Sequence, residues 1–116
     1  MGLKRVGAGP RMSEAVIAGG FAHLAGQVAE KSVGRPVAEQ TAEVLAFIDE
    51  FLAEAGTDKT RLVRATIWLS DIASFGEMNA VWDAWVAPGN APARATVQAR
   101  LASPGHDVEI MVVAAL

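Results

Sequence analysis

The stretch Pro92-Ala93-Arg94-Ala95-Thr96-Val97-Gln98-Ala99-Arg100-Leu101-Ala102, followed after a turn by Val108-Glu109-Ile110-Met111-Val112-Val113, decides how this chain is read. Ala95–Leu101 and Val108–Ala115 are strand-like runs, and the turn-rich Ser103-Pro104-Gly105-His106-Asp107 joins them. Arg94 stands at the entry to the first run. Glu109 interrupts an otherwise apolar second run, so its carboxylate belongs on a solvent-facing edge or in a polar pocket. If the two strands pair antiparallel, Arg94 and Glu109 fall towards the same end of the pair. Arginine offers a planar fork that matches a carboxylate, which lysine does not reproduce, and a nearby glutamate could hold a water. On residue types alone the two also read as a surface salt bridge, and that alternative stays open at this point.

Upstream, Ser13–Ala18 and Phe21–Ala25 flank Gly19-Gly20, which predicts a β-hairpin, because a tight primed turn needs positive φ where glycine bears no steric cost. Gly26-Gln27 then breaks the second strand, as a bulge or a close backbone approach. Pro36 opens a long helix whose apolar stripe runs through Val37, Thr41, Val44, Leu45, Ile48, Phe51, Leu52 and Ala55, with Gly56 ending it. Leu62–Leu69 reads as a strand. Ser74-Phe75-Gly76-Glu77 matches a capping box, and Phe75, Met78, Val81, Trp82 and Trp85 continue at helical spacing until Pro88-Gly89. A further short strand fits near Leu3–Val6. The order β-β-α-β-α-β-β predicts one α+β domain over residues 1–116, a mixed sheet with both helices on one face. The other face would then carry apolar side chains that nothing in this chain covers, which predicts oligomers.

Composition narrows the function. A hydrophobic fraction of 52% and a mean hydropathy of +0.28 are high for a small soluble monomer. The net charge of −3 supplies no field for a phosphate backbone, so a nucleic-acid partner is not expected. The chain has no cysteine, and its two histidines, His23 and His106, show no ligand spacing, so neither a metal nor any other cofactor is expected. No apolar run approaches a membrane span and no signal peptide is read, which makes a cytoplasmic protein the expectation. Gly7-Ala8-Gly9 begins like a dinucleotide loop, but Met12 stands where the third glycine belongs. The three tryptophans, Trp68, Trp82 and Trp85, read as packing residues, and His106 as a solvated turn residue.

Read together, the residues from Pro92 to Ala102 with Val108-Glu109-Ile110 resemble the C-terminal signature of the RidA/YjgF family, also called the L-PSP endoribonucleases. Gly26-Gln27, Gln40-Thr41 and Met78-Asn79-Ala80-Val81-Trp82-Asp83-Ala84-Trp85 agree, and the last of these with Asn90-Ala91-Pro92 looks closest to the YoaB-like branch. The resemblance covers nearly the whole chain. It implies a chorismate-mutase-like fold assembled as a homotrimer around a central barrel, with ligand sites in the clefts between subunits. It implies hydrolysis of 2-imino acids, or their enamine tautomers, to 2-keto acids and ammonia. Arg94 would clamp the ligand carboxylate and Glu109 would orient the attacking water, these two being the catalytic residues. Gly26 and the backbone at Thr96 would hydrogen-bond ligand or water. Met12 stands where the family usually has tyrosine, and Ala25 where it has serine, so the cleft lacks two hydroxyls. A trimer that binds a small keto or amino acid without turnover is therefore the alternative, and an endoribonuclease or translation inhibitor the third reading.

Overall fold

The computed structural model describes residues 2–116. Strands β1 (Lys4–Val6), β2 (Ala15–Ala18), β3 (Phe21–Leu24), β4 (Leu62–Leu69), β5 (Ala93–Gln98) and β6 (Val108–Ala115) form one six-stranded sheet in the order β1-β2-β3-β6-β4-β5. Helices α1 (Val37–Ala55) and α2 (Phe75–Trp85) follow β3 and β4. Every strand pair is antiparallel except β4 with β5, which α2 connects in parallel. The architecture is the mixed α+β sheet with two helices that the pattern predicts.

Local chemistry places the elements. Gly19 and Gly20, at φ 59° and 85°, turn the β2–β3 hairpin, where Ala18 faces Phe21. Gly56, at φ 88°, closes α1 with its N–H on the Ala53 and Leu52 carbonyls. Pro36 precedes α1 without a side-chain cap, and the free N–H of Ala38 is instead taken by the Glu77 carboxylate of α2 at 2.9 Å. That contact corrects the capping box expected at Ser74. The hydroxyl of Ser74 donates to the Asp71 carbonyl, because a 3-10 turn over Ile72–Ser74 runs straight into α2 and leaves Ser74 outside the extended conformation of an N-cap.

A second correction concerns the last two strands. They are not neighbours: β4 lies between them, and β5 begins and ends earlier than the apolar run suggests. The connection from Ala99 to Asp107 therefore crosses the end of β4, where Ser70 N–H donates to the Asp107 carbonyl.

The core occupies one face of the sheet. Leu24, Ala65, Ile67, Leu69, Val108, Ile110, Val112 and Ala114 pack against Val44, Leu45, Ile48 and Leu52 of α1 and against Met78 and Trp82 of α2. The opposite face has no helix over it. Phe21, Val97 and Met111 point from it, 40%, 44% and 37% exposed, beside Trp68 and Val113. No described helix is long and apolar enough to cross a membrane.

Two polar devices, one buried and one nearer the surface, hold the loops against the sheet. Gln40, fully buried on α1, donates to the Gly105 carbonyl at 3.0 Å and accepts from Asp107 N–H at 2.9 Å. Next to it, Glu43 accepts from the N–H groups of Glu30, Lys31 and Ser32 and from the Ser32 hydroxyl, at 2.6–3.1 Å. His106 is not simply solvated, since its Nε2 lies 2.9 Å from the Ala29 carbonyl and ties the two loops together.

The amide of Lys31, with the Ser32 hydroxyl next, holds the Glu43 carboxyl at about 2 against an ordinary 4.5. A depressed carboxyl stabilises the fold above the unfolded value and loses that contribution as pH falls from 4.5 towards 2. Glu43→Gln should therefore melt below wild type near neutral pH and converge with it at about pH 2. Melting curves that run parallel through the acid range would show that this clasp contributes nothing.

Candidate active site

The residues singled out in the sequence fall into two groups. The first surrounds Glu109. Pleating puts Val108, Ile110 and Val112 on the helix face of β6, so Glu109 points to the open face, half-buried. Gln27 and Ile110 exchange backbone hydrogen bonds at 2.9 and 3.1 Å, which draws Gly26 directly against Glu109. A Cβ at Gly26 would lie 2.9 Å from the Glu109 carboxyl carbon and 3.1 Å from its Cγ. Only glycine leaves this carboxylate its place. Ala25 adjoins them, its N–H on the Glu14 carbonyl at 2.8 Å, and Met12 lies 51% exposed in the loop that leads to Glu14.

The second group lies on β5. Its register with β4 sets Arg94 beside Ala65 and Thr96 beside Ile67, so both side chains share the helix face. The Arg94 guanidinium carbon stands 5.2 Å from the Trp82 ring centre and 5.7 Å from that of Phe75, both on α2. Among the described residues Arg94 forms no ion pair, and Arg35–Glu39 is the salt bridge present. Because β5 is an edge strand, its backbone is half free. Ala99 N–H bonds the Leu69 carbonyl, and the alternation of a parallel ladder then turns the N–H and C=O of Arg94 and Thr96 away from β4. The Thr96 hydroxyl is buried with no partner in the chain.

Arg94 and Glu109 therefore do not meet. They are separated by three residues along the strands and by the width of two strand spacings, roughly 14 Å between backbones at ordinary strand dimensions, and they point to opposite faces. The antiparallel pairing considered in the sequence would have brought them to one end. The inserted β4 and the alternation of side chains forbid it, and they forbid the alternative of a salt bridge within the chain too.

The concavities agree with a divided site. One, of about 700 Å3, lies within the loop Gln98–Asp107 beside Ser70 and includes none of Met12, Ala25, Gly26, Arg94, Thr96 or Glu109. A depression of about 220 Å3 is lined by Arg64, Ala65, Ala93, Arg94 and Ala95. Among the described residues no three acidic or histidine side chains gather where an ion could sit.

One polar residue, quoted in the sequence only as part of the Met78–Trp85 run, gains a place near the site. Asn79 has its Oδ1 buried without a partner, and its position between Phe75 and Trp82 on α2 puts it on the stripe that covers Arg94. An amide on an otherwise apolar helical stripe is the signal that could have marked it.

The fold agrees with comparisons to known proteins. The family described as Endoribonuclease L-PSP matches residues 3–116, and the chain belongs to this RidA/YjgF family. Among solved structures, a YjgF-family protein from Neisseria meningitidis superposes with a TM-score of 0.95 at 51% identity, covering 99% of this chain and 95% of that one. The RutC family protein YoaB of Escherichia coli is 41% identical over 100% of both chains. A rat protein named 2-iminobutanoate/2-iminopropanoate deaminase is 34% identical over 88% of this chain and 77% of its own.

The Gly26–Glu109 contact makes a direct prediction. Gly26 has no positive φ, so Gly26→Ala leaves the backbone unstrained and acts by displacing the Glu109 carboxylate. The variant should keep its melting temperature within a few degrees, as a single small change allows, and lose most of whatever turnover depends on Glu109. Full turnover in Gly26→Ala would remove Glu109 from the chemistry.

Proposed function

We propose that the protein is an imine and enamine deaminase that hydrolyses small 2-imino acids to 2-keto acids and ammonia at sites shared between the subunits of a homotrimer. The observation that carries this reading is Arg94, a half-buried cation on a free strand edge with no carboxylate partner among the described residues. An arginine in that state is ready for the carboxylate of a ligand, and its fork fixes the plane of a 2-imino acid. The outward N–H of Thr96 supplies a further donor two residues along the same edge. The name of the rat relative supports the choice of substrate class.

Glu109 supplies the water. With Arg94 on one face and Glu109 on the other, a site that uses both takes Arg94 and Thr96 from one chain and Glu109, Gly26, Ala25 and Met12 from its neighbour. Trimer closure would also cover Phe21, Val97 and Met111 on the bare face. In the cleft, the Glu109 carboxylate takes a proton from water as the water oxygen bonds to the imine carbon, the C=N π electrons move to nitrogen, and nitrogen receives that proton back from Glu109. The carbinolamine then breaks its carbon–nitrogen bond: the hydroxyl proton passes by way of Glu109 to the amine, which leaves as ammonia, and the carbon–oxygen double bond of the keto acid forms. An imine carbon is already electrophilic, so position and one base suffice without a covalent nucleophile.

A second reading, a trimer that captures a keto or amino acid without turnover, is favoured by Met12 and Ala25. Ala25 adjoins Gly26 and Met12 precedes β2, and neither carries a hydroxyl that could hold the water.

The two readings part in a trapping assay. An amino-acid oxidase generates 2-imino acids in the presence of semicarbazide, and the trapped fraction is compared with and without the protein. Wild type should reduce trapping, Arg94→Ala should abolish the effect, and Glu109→Ala should depress it by roughly 100-fold or more, the scale of a lost general base. No reduction by folded wild-type trimer across several side-chain types would reject the enzyme in favour of the binder.

A further inference from the structure

Resting on the carboxylate-binding reading of Arg94, a question of physical chemistry follows about how that cation is kept available. A half-buried guanidinium is ordinarily held by a carboxylate, and one so paired is poorly placed to take a ligand. Arg94 is held differently. Its guanidinium carbon lies 5.2 Å from the centre of the Trp82 ring and 5.7 Å from that of Phe75, while no carboxylate of the chain pairs with it among the described residues. The two rings come from positions seven apart on α2, two turns along one side of the helix. Trp82 is 5% exposed and belongs to the core, so its ring is fixed. Phe75 is 41% exposed at the first turn of α2. Its ring therefore reaches Arg94 from the open side.

We infer that Phe75 and Trp82 form an aromatic cradle that positions the Arg94 guanidinium for an anionic ligand while leaving its N–H donors unspent. The ring faces attract the cation through their quadrupoles but accept no strong hydrogen bond, so the fork stays free. A carboxylate in place of either ring would have occupied those donors. The cradle also removes conformational freedom before the ligand arrives. A free arginine side chain has several rotatable bonds to order on binding, and ordering them in advance raises affinity without any new ligand contact. Phe75 and Trp82 are thus positioning residues that act through Arg94.

Phe75 is the side chain to change, because its exposure makes the structural cost small. Phe75→Leu keeps an apolar side chain and removes the ring face, whereas Phe75→Tyr keeps the face. Binding of 2-oxobutanoate to the full-length protein would be measured by titration calorimetry, alongside steady-state imine hydrolysis and thermal unfolding. Phe75→Leu should bind the keto acid roughly two- to fivefold more weakly, the scale of an exposed cation–π contact, and raise KM by a similar factor with kcat and melting temperature little changed. Phe75→Tyr should restore wild-type affinity. Equal affinity in Phe75→Leu and wild type would overturn the cradle, as would a loss in Phe75→Leu that Phe75→Tyr fails to repair. Absence of 2-oxobutanoate binding by wild type itself would be a different failure, removing the carboxylate site and the cradle with it.

Discussion

A sheet has two faces, and this chain carries helices for one of them. α1 and α2 cover the side from which Leu24, Ile67, Ile110 and Val112 project, and the other side is left with Phe21, Val97 and Met111 partly in the open. The rest of the molecule follows from that asymmetry. Pleated alternation assigns each strand residue to the covered or the bare side without exception along β5 and β6. Arg94 goes to the covered side and meets aromatic rings. Glu109 goes to the bare side and meets Gly26. The two residue groups are separated because the sheet has two faces.

The loops serve the division rather than bridging it. Gln40 and Glu43 lie one helical turn apart on α1, and each reaches a different loop: Gln40 the segment before Glu109, Glu43 the segment after Gly26. One helix thus fixes both walls of the Glu109 group, while the other helix fixes Arg94.

Much of this was readable from the residues. The hairpin at Gly19-Gly20, the helix from Pro36 to Gly56 and the strand Leu62–Leu69 stand where periodicity and turn chemistry put them, because in each the local preference and the core demand agree. The family of the chain was readable as well, from Pro92 to Ala102 with Val108-Glu109-Ile110. Strand order was not. Nothing in the residues of β5 and β6 says that β4 lies between them, since a strand's partner is chosen by the whole sheet and not by its own pattern. The Ser74 capping box failed for a similar reason: Glu77 had a better use at the start of α1, more than thirty residues away in sequence. Trp82 was read as packing, which holds for its burial, but its ring face towards Arg94 could be found only in three dimensions.

A working site that takes Arg94 from one chain and Glu109 from its neighbour can be rebuilt by mixing subunits. Arg94→Ala and Glu109→Ala, each inactive as a homotrimer, would be unfolded together in equal amounts, refolded, and assayed for imine hydrolysis. If sites are shared between neighbours in a closed ring, random assembly rebuilds intact sites, and activity should return to on the order of a quarter of wild type. If mixed trimers form, as native mass spectrometry would establish, and stay inactive, then both residues must come from one chain and the divided site is wrong.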